Sequence, residues 1–378
     1  MIPRTLFSEE HEIFRQTVRR FVEQDVVPHH AAWEKAGVVP RAVWRKAGTM
    51  GMLCCSIPET YGGLGGDIAH SMIVIEELTR VGATGPGFAL HSDIVAPYLL
   101  HYGNEAQKKA WLPKMATGEY IGAIAMTEPA VGSDLQNITT RAVRDGDHYV
   151  INGQKIYISN GQSADIIIVA CKTDPTAKGK GVSLIVVEAD RQGFVRGRNL
   201  EKIGFKAQDT SELFFQDVRV PVANRLGEEG RGFVYLMEQL TRERIIAAAR
   251  NVALMEAALE WTLDFTKGRK AFGKPIFEFQ NSRFKLAEVK THCVLARIML
   301  DRCTELLMKG ELDSVDAAMI KYWSADTAND KIDDCLQLHG GAGFMWEYPI
   351  GRAFVDVRQG RIAGGTSEIM KEIISRAL

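Results

Sequence analysis

Six cysteines are scattered through the 378 residues without one C-x-x-C pair, and the nine histidines complete no metal-ligand spacing beside them. A dithiol redox motif and a common zinc site are thereby excluded, and reduced thiols in a cytoplasmic setting are expected. No apolar run reaches the ~18 residues that would span a bilayer. The opening segment, MIPRTLFSEEHEIF, lacks the apolar core of a secretory signal, so neither export nor membrane insertion is expected. Strong charge of one sign is missing as well, since 46 Lys+Arg against 47 Asp+Glu leave a formal net charge of -1. With no global attraction to nucleic acid or an anionic membrane, a negative ligand must be held by local groups, and small molecules are the expected partners. No internal repeat or low-complexity tract organises the chain.

What is present is a globular composition, 46% hydrophobic and 25% charged, enough for two or three domains with their own cores. From Ser8 to about Tyr120 the pattern is helical. Ser8 stands as an N-cap before two glutamates, and Ile13, Phe14, Val18, Phe21 and Val22 recur at helical spacing. After Ile121 come short β-rich runs, HYVING, KIYISNG, ADIIIVACKTD, GVSLIVVEAD and SELFFQDVRVP, punctuated by Asn-Gly, Gly and Pro. Helices return after Gly230, with predicted spans at 233–266, 281–308 and 314–339, the last closed by Gly340 and Gly341. The expected fold class is α+β: a helical domain over 1–122, a β-sandwich or barrel over 123–225 and a four-helix-like domain over 226–378.

On the longest helix Leu236, Leu240, Glu243, Ala247, Leu254, Ala258 and Trp261 form one stripe at about 100° per residue. Glu243 lies in its middle. A carboxylate on a core-facing stripe is costly unless paired. Either its pKa rises, as a general base near neutrality requires, or it serves a structural ion pair with Arg242, Arg244 or Arg250. AMTEPAVGSD offers hydroxyls at Thr127 and Ser133 and close backbone approach at Gly132. KIYISNG offers a ring at Tyr157 and a donor at Ser159. RKAFGKPIFEFQ adds the guanidinium of Arg269 and the ring of Phe272, and QLHGGAGF pairs the amide of Gln337 with a glycine turn. In RIAGGTSEIMKEI, paired glycines precede Thr366 and Ser367 at a helix start, where an anion is readily held. YGGLGG lacks the lysine of a phosphate loop and reads as a surface turn. Together these are the parts that a large, phosphate-bearing aromatic cofactor needs.

The ordered motifs PETYGGLGG, AMTEPAVGSD, KIYISNG, GFKAQDTSELFFQDVRVP, GEEGRGF, RKAFGKP, QLHGGAGFMWEYPIGRAFVDVR and GGTSEIM resemble the acyl-CoA dehydrogenases over nearly the whole chain. The resemblance implies three domains, helical, β and a four-helix bundle, assembled as a homotetramer with FAD in the cleft among them. Ile124, Met126, Thr127, Gly132, Ser133, Tyr157 and Ser159 would then surround the flavin ring. Arg269, Phe272, Gln280, Gln337, Gly340 and Gly341 would reach the FAD of a neighbouring subunit, and Thr366 and Glu368 its diphosphate. The implied reaction is α,β-dehydrogenation of an acyl-CoA thioester, with electrons passed to an electron-transferring flavoprotein. Many members carry the base just before the Gly-Thr of the last motif, where this chain has Gly364. In the long-chain and isovaleryl branches the base comes from the long helix, before an arginine, and Glu243 holds that position. Ser133, Thr241, Arg242, Arg244, Gly364 and Gly365 would line the substrate. The closest likeness is to the long-chain branch. An oxidase or monooxygenase acting on a non-CoA or branched substrate is the alternative on this fold, and a catalytically silent helical binding protein a third. Asn137, where a small residue is usual, and LTRER, where a proline-bearing segment is usual, depart from the family pattern.

Overall fold

The computed structural model describes residues 2–378. Helices α1 (Glu9–Phe21), α2 (Val27–Ala36), α3 (Arg41–Thr49), α4 (Ile68–Arg80), α5 (Ala96–Tyr102) and α6 (Glu105–Ala116) come first. Strands β1 (Gly122–Ala125), β2 (Arg141–Asp145), β3 (His148–Ser159), β4 (Ile166–Lys172), β5 (Val182–Glu188), β6 (Phe194–Asn199), β7 (Thr210–Pro221) and β8 (Arg225–Leu226) follow. Helices α7 (Gly232–Gly268), α8 (Gln280–Lys309), α9 (Ser314–His339), α10 (Pro349–Val357) and α11 (Ser367–Ser375) complete the chain. A short ladder, β9 (Lys270–Ala271) with β10 (Lys274–Pro275), lies between α7 and α8. The expected α, β, α order is observed. Ser8 caps α1 as expected: its hydroxyl accepts from His11 N–H at 3.5 Å, and its own N–H donates to His11 Nδ1 at 3.1 Å.

Packing divides the chain into two compact units, one of residues 1–22, 72–84 and 241–378, the other of residues 23–71 and 85–240. The second is a mixed α/β unit. Its sheet runs β6-β7-β3-β2-β4-β5-β8, with β1 parallel to β4. Strand β4 is buried on both faces because alternate residues feed different cores. Ile167, Val169 and Cys171 join Tyr149, Ile151, Leu213 and Phe215, so the sheet curls round a core of its own strands. Ile166, Ile168 and Ala170 join Tyr98, Leu99 and Leu112 of the helices. In YGGLGG, a Cβ at Gly63 would lie 2.1 Å from the Ile57 carbonyl oxygen. That glycine serves a packed turn.

The first unit is helical. Helix α7 is buried beyond the expected stripe: Ile245, Ile246, Ala248, Val252 and Met255 are buried beside Leu254 and Ala258. A single apolar stripe describes a helix on the surface of a core, whereas α7 is enclosed on several faces. A charge network ties α4 into the same unit. Glu76 accepts from Arg297 at 2.7 Å, Arg15 at 2.8 Å and Arg4 at 2.9 Å, and Arg4 also reaches Asp301 at 2.7 Å. Burial pushes the Glu76 carboxyl upward, but Arg297, Arg4 and Arg15 outweigh it and hold the group at about 2.

Candidate active site

In the mixed unit, β1 is anchored at its start. The Gly122 N–H donates to Nδ1 of the fully buried His91 at 3.0 Å, while His91 Nε2 donates to the Met115 carbonyl at 3.0 Å. Burial pushes the His91 pKa down to about 4, so the ring is neutral and these partners set its tautomer. The strand so placed leads into Met126 and Thr127, both half-buried, beyond a buried Ile124. Gly132 and Ser133 follow on an exposed loop.

The facing segment is the end of β3. Pairing with β7 jumps from Lys155↔Leu213 to Ile158↔Ser211, so β3 carries one extra residue and bulges. Tyr157 occupies the bulge with a left-handed φ of 61° and a side chain left 65% exposed. A tyrosine in that region is strained, and such strain collects where a side chain is aimed for use. The bulge also lets Ile156 N–H donate to the Thr127 carbonyl at 3.0 Å, which sews the two expected segments together. Ser159 is half-buried at the end of the strand. An outward aromatic ring, nearby hydroxyls and an apolar edge suit a flat, polar heterocycle.

In the helical unit, Glu243 is 7% exposed and the adjoining Arg244 is buried. Thr241 and Arg242 on the same turn are half-buried. Arg244 Nε has no hydrogen-bond partner among the described residues. Burial lowers the Arg244 pKa, and Glu243 opposes that shift. Arg244 also couples electrostatically to Lys321 of α9, whose ammonium donates to the Gly365 carbonyl. The Glu243 turn and the GGTSE loop are thus linked through two buried cations. Gly364 has φ 67°, and no described atom lies within 4 Å of where its Cβ would stand, so bare backbone faces open space there. Thr366 caps α11 by accepting from Ile369 N–H at 3.3 Å, and Ser367 donates to Asp326 at 2.7 Å. Glu368 is exposed on the first turn; its carboxyl is lowered by backbone and Thr366 hydrogen bonds.

The residues expected to reach a neighbouring subunit lie on the surface of the helical unit. Arg269, Gln280, Gln337, Gly340 and Gly341 are exposed, and Phe272 is 95% exposed with φ 52°. A separate cleft of about 830 Å³ in the mixed unit is lined by Gln136, Lys178, Lys180, Glu229, Arg231 and Phe233, and holds none of the expected site residues.

Sequence reasoning missed Lys155, Glu128 and Lys321. The two lysines left a trace: Lys155 stands on the inward side of an alternating strand, and Lys321 shares an apolar stripe with Ala317, Ala325, Ala328 and Ile332. A lysine on a buried stripe must meet an acceptor inside.

Residues 8–119, 123–218 and 230–378 match the models described as acyl-CoA dehydrogenase N-terminal, middle and C-terminal domains. The chain is 51% identical over 377 residues to the mitochondrial long-chain specific acyl-CoA dehydrogenase of Sus scrofa, covering 99% of this chain and 88% of that protein. With the Mus musculus counterpart it is 48% identical over the same 99% and 88%. A crystal structure of an acyl-CoA dehydrogenase from Geobacillus kaustophilus superposes with a TM-score of 0.97 at 49% identity, covering 99% of each chain.

Proposed function

Because the chain belongs to the acyl-CoA dehydrogenase family, we propose that it oxidises long-chain acyl-CoA thioesters to trans-2-enoyl-CoA, with FAD as its cofactor and Glu243 as its base. It is an acyl-CoA dehydrogenase, an oxidoreductase, and no helix among the described residues is long and apolar enough to cross a membrane. Buried, free cysteines fit a cytoplasmic enzyme.

The FAD assignment is supported by the strained, outward Tyr157 beside Thr127 and Ser159, and by the capped start of α11. Ile124, Met126, Thr127, Gly132, Ser133, Tyr157 and Ser159 would hold the ring, and Thr366 and Glu368 the diphosphate. Arg269, Phe272, Gln280, Gln337, Gly340 and Gly341 would serve the FAD of a neighbouring subunit in a homotetramer. When bound, FAD supplies the acceptor for the β-hydrogen, which leaves as hydride. An electron-transferring flavoprotein is the proposed destination of the electrons.

One observation carries the assignment of the base: Glu243 is a buried carboxylate on α7, while the alternative position, Gly364, has no side chain. Glu243 takes the α-proton. The Gly364 N–H donates to the thioester oxygen as negative charge develops on it, a role that needs backbone alone. Arg244 adds positive charge beside the carboxylate. Thr241, Arg242, Ser133 and Gly365 would line the substrate.

Anaerobic addition of palmitoyl-CoA should bleach the visible flavin band of the yellow protein. Glu243→Gln should keep FAD and ligand binding yet lose about 10²- to 10⁴-fold in turnover. Near-normal turnover in that variant moves the base elsewhere, and no bleaching by acyl-CoA of any chain length sinks the whole assignment.

A further inference from the structure

We propose that the buried Lys155–Glu128 pair positions the backbone segments that flank the flavin ring, an inference that rests on the FAD assignment above. Lys155 is 1% exposed, and its ammonium donates to the Met126 carbonyl at 2.9 Å and to Glu128 Oε1 at 2.9 Å. With the bond from Ile156 N–H to the Thr127 carbonyl, residues 126, 127 and 128 are each tied to β3 just before the bulge that presents Tyr157. Glu128 extends the tie in two directions. Its Oε2 accepts from Thr139 N–H at 2.6 Å and Thr139 hydroxyl at 2.7 Å, and its Oε1 accepts from Thr140 N–H at 2.9 Å. Its backbone exchanges two hydrogen bonds with Val131, at 2.9 and 3.0 Å, and so closes the loop that ends in Gly132 and Ser133. The pair, with the Glu128 backbone, therefore ties residues 126–131 to β3 and to Thr139 and Thr140.

Burying two charges is costly, and well-packed apolar residues would fill the space at least as stably. What apolar residues lack is direction: an ammonium with fixed acceptors specifies which carbonyls it holds and where. Burial pushes the Glu128 carboxyl upward, but the Lys155 charge and the donors from Lys155, Thr139 and Thr140 outweigh it and hold it at about 2. The pair stays ionised on the carboxylate side across the neutral range. Lys155 and Glu128 act on the ring only through Met126, Thr127, Ser133 and Tyr157, which makes them positioning residues.

The test uses the full-length protein stripped of FAD and titrated with it, with affinities referred to the folded fraction measured by circular dichroism. Lys155→Met and Glu128→Gln should each weaken FAD by about tenfold or more and shift the visible flavin band. Thr139→Val should weaken it about threefold, and Thr139→Ser, which keeps the hydroxyl, should bind as wild type. A merely structural role predicts lower melting temperatures with unchanged FAD affinity and spectrum in the folded fraction, and that result overturns the proposal. If Lys155→Met does not fold, Thr139→Val decides: wild-type affinity and spectrum there overturn it equally. Wild-type protein that takes up no FAD brings down the cofactor assignment itself, and the positioning role with it.

Discussion

One lysine in each unit is buried against a site loop, Lys155 at 1% and Lys321 at 0% exposure, and each donates to a backbone carbonyl of that loop. Their surroundings differ. Lys155 has a carboxylate, Glu128, that is itself held by Thr139 and Thr140. Lys321 has the Gly365 carbonyl and a second buried cation, Arg244, while Asp326 and Glu368 pull in the opposite direction. Lys155 is therefore neutralised by a direct ion pair, whereas Lys321 feels repulsion from Arg244 that Asp326 and Glu368 oppose. A closed ion pair suits a scaffold that must hold a rigid ring.

The largest effect expected from this difference is on stability. Lys155→Met strands the Glu128 carboxylate inside the protein and should cost about 3–5 kcal/mol. Unfolding of the full chain in urea, followed by circular dichroism, measures it. A cost no greater than that of Lys321→Met, measured alongside, breaks the comparison.

The pH dependence should separate the units next. Burial, then repulsion from Arg244, lowers the Lys321 pKa from 10.5 to about 8. Between those values the unfolded chain binds more protons than the folded one, so stability rises as pH climbs from about 8 towards 10.5, by about 3 kcal/mol in all. In the mixed unit burial lowers the His91 pKa from 6.5 to about 4. There the unfolded chain again binds more protons, so stability falls by about 3 kcal/mol as pH drops from 6.5 to 4. Thermal melts across pH 4–10.5 should show both limbs, and Lys321→Met should flatten the alkaline one alone. An alkaline limb that persists in that variant belongs to another group.

How far all this could be read beforehand varies with the kind of interaction. Helix α9 was expected and found at residues 314–339, because Asp313 caps its start and Gly340 ends it. Such signals are local, and α7 and α8 likewise begin and end within one or two residues of expectation. The site motifs were legible as residue types, and the structure adds their posture: the left-handed backbone of Tyr157 arises from a one-residue bulge against β7, which only pairing reveals. The burial of Lys155, the grouping of α4 with Arg4, Arg15 and Arg297, and the approach of Lys321 to Gly365 all join positions far apart along the chain. No single-sequence periodicity encodes those distances. The stripe assigned to α7 was too narrow for the same reason, since burial on its further faces is a tertiary fact.

The smallest effect sharpens the comparison most. Lys321→Met removes a hydrogen bond from the Gly365 carbonyl, a loss of about 1.5–3 kcal/mol for a charged donor. It also relieves the repulsion with Arg244 and the desolvation of a buried ammonium, the two influences that lower the Lys321 pKa. The opposing contributions should leave a net cost of about 1 kcal/mol, well below that of Lys155→Met. Turnover should respond more than stability, because Gly365 and the adjoining Gly364 lose the contact that fixes their backbone while the rest of α9 stays packed. Urea unfolding and steady-state kinetics on one preparation decide the matter: a stability loss matching Lys155→Met means that Lys321 has a hidden carboxylate partner in solution, and unchanged turnover means that the Gly365 contact does not position the loop.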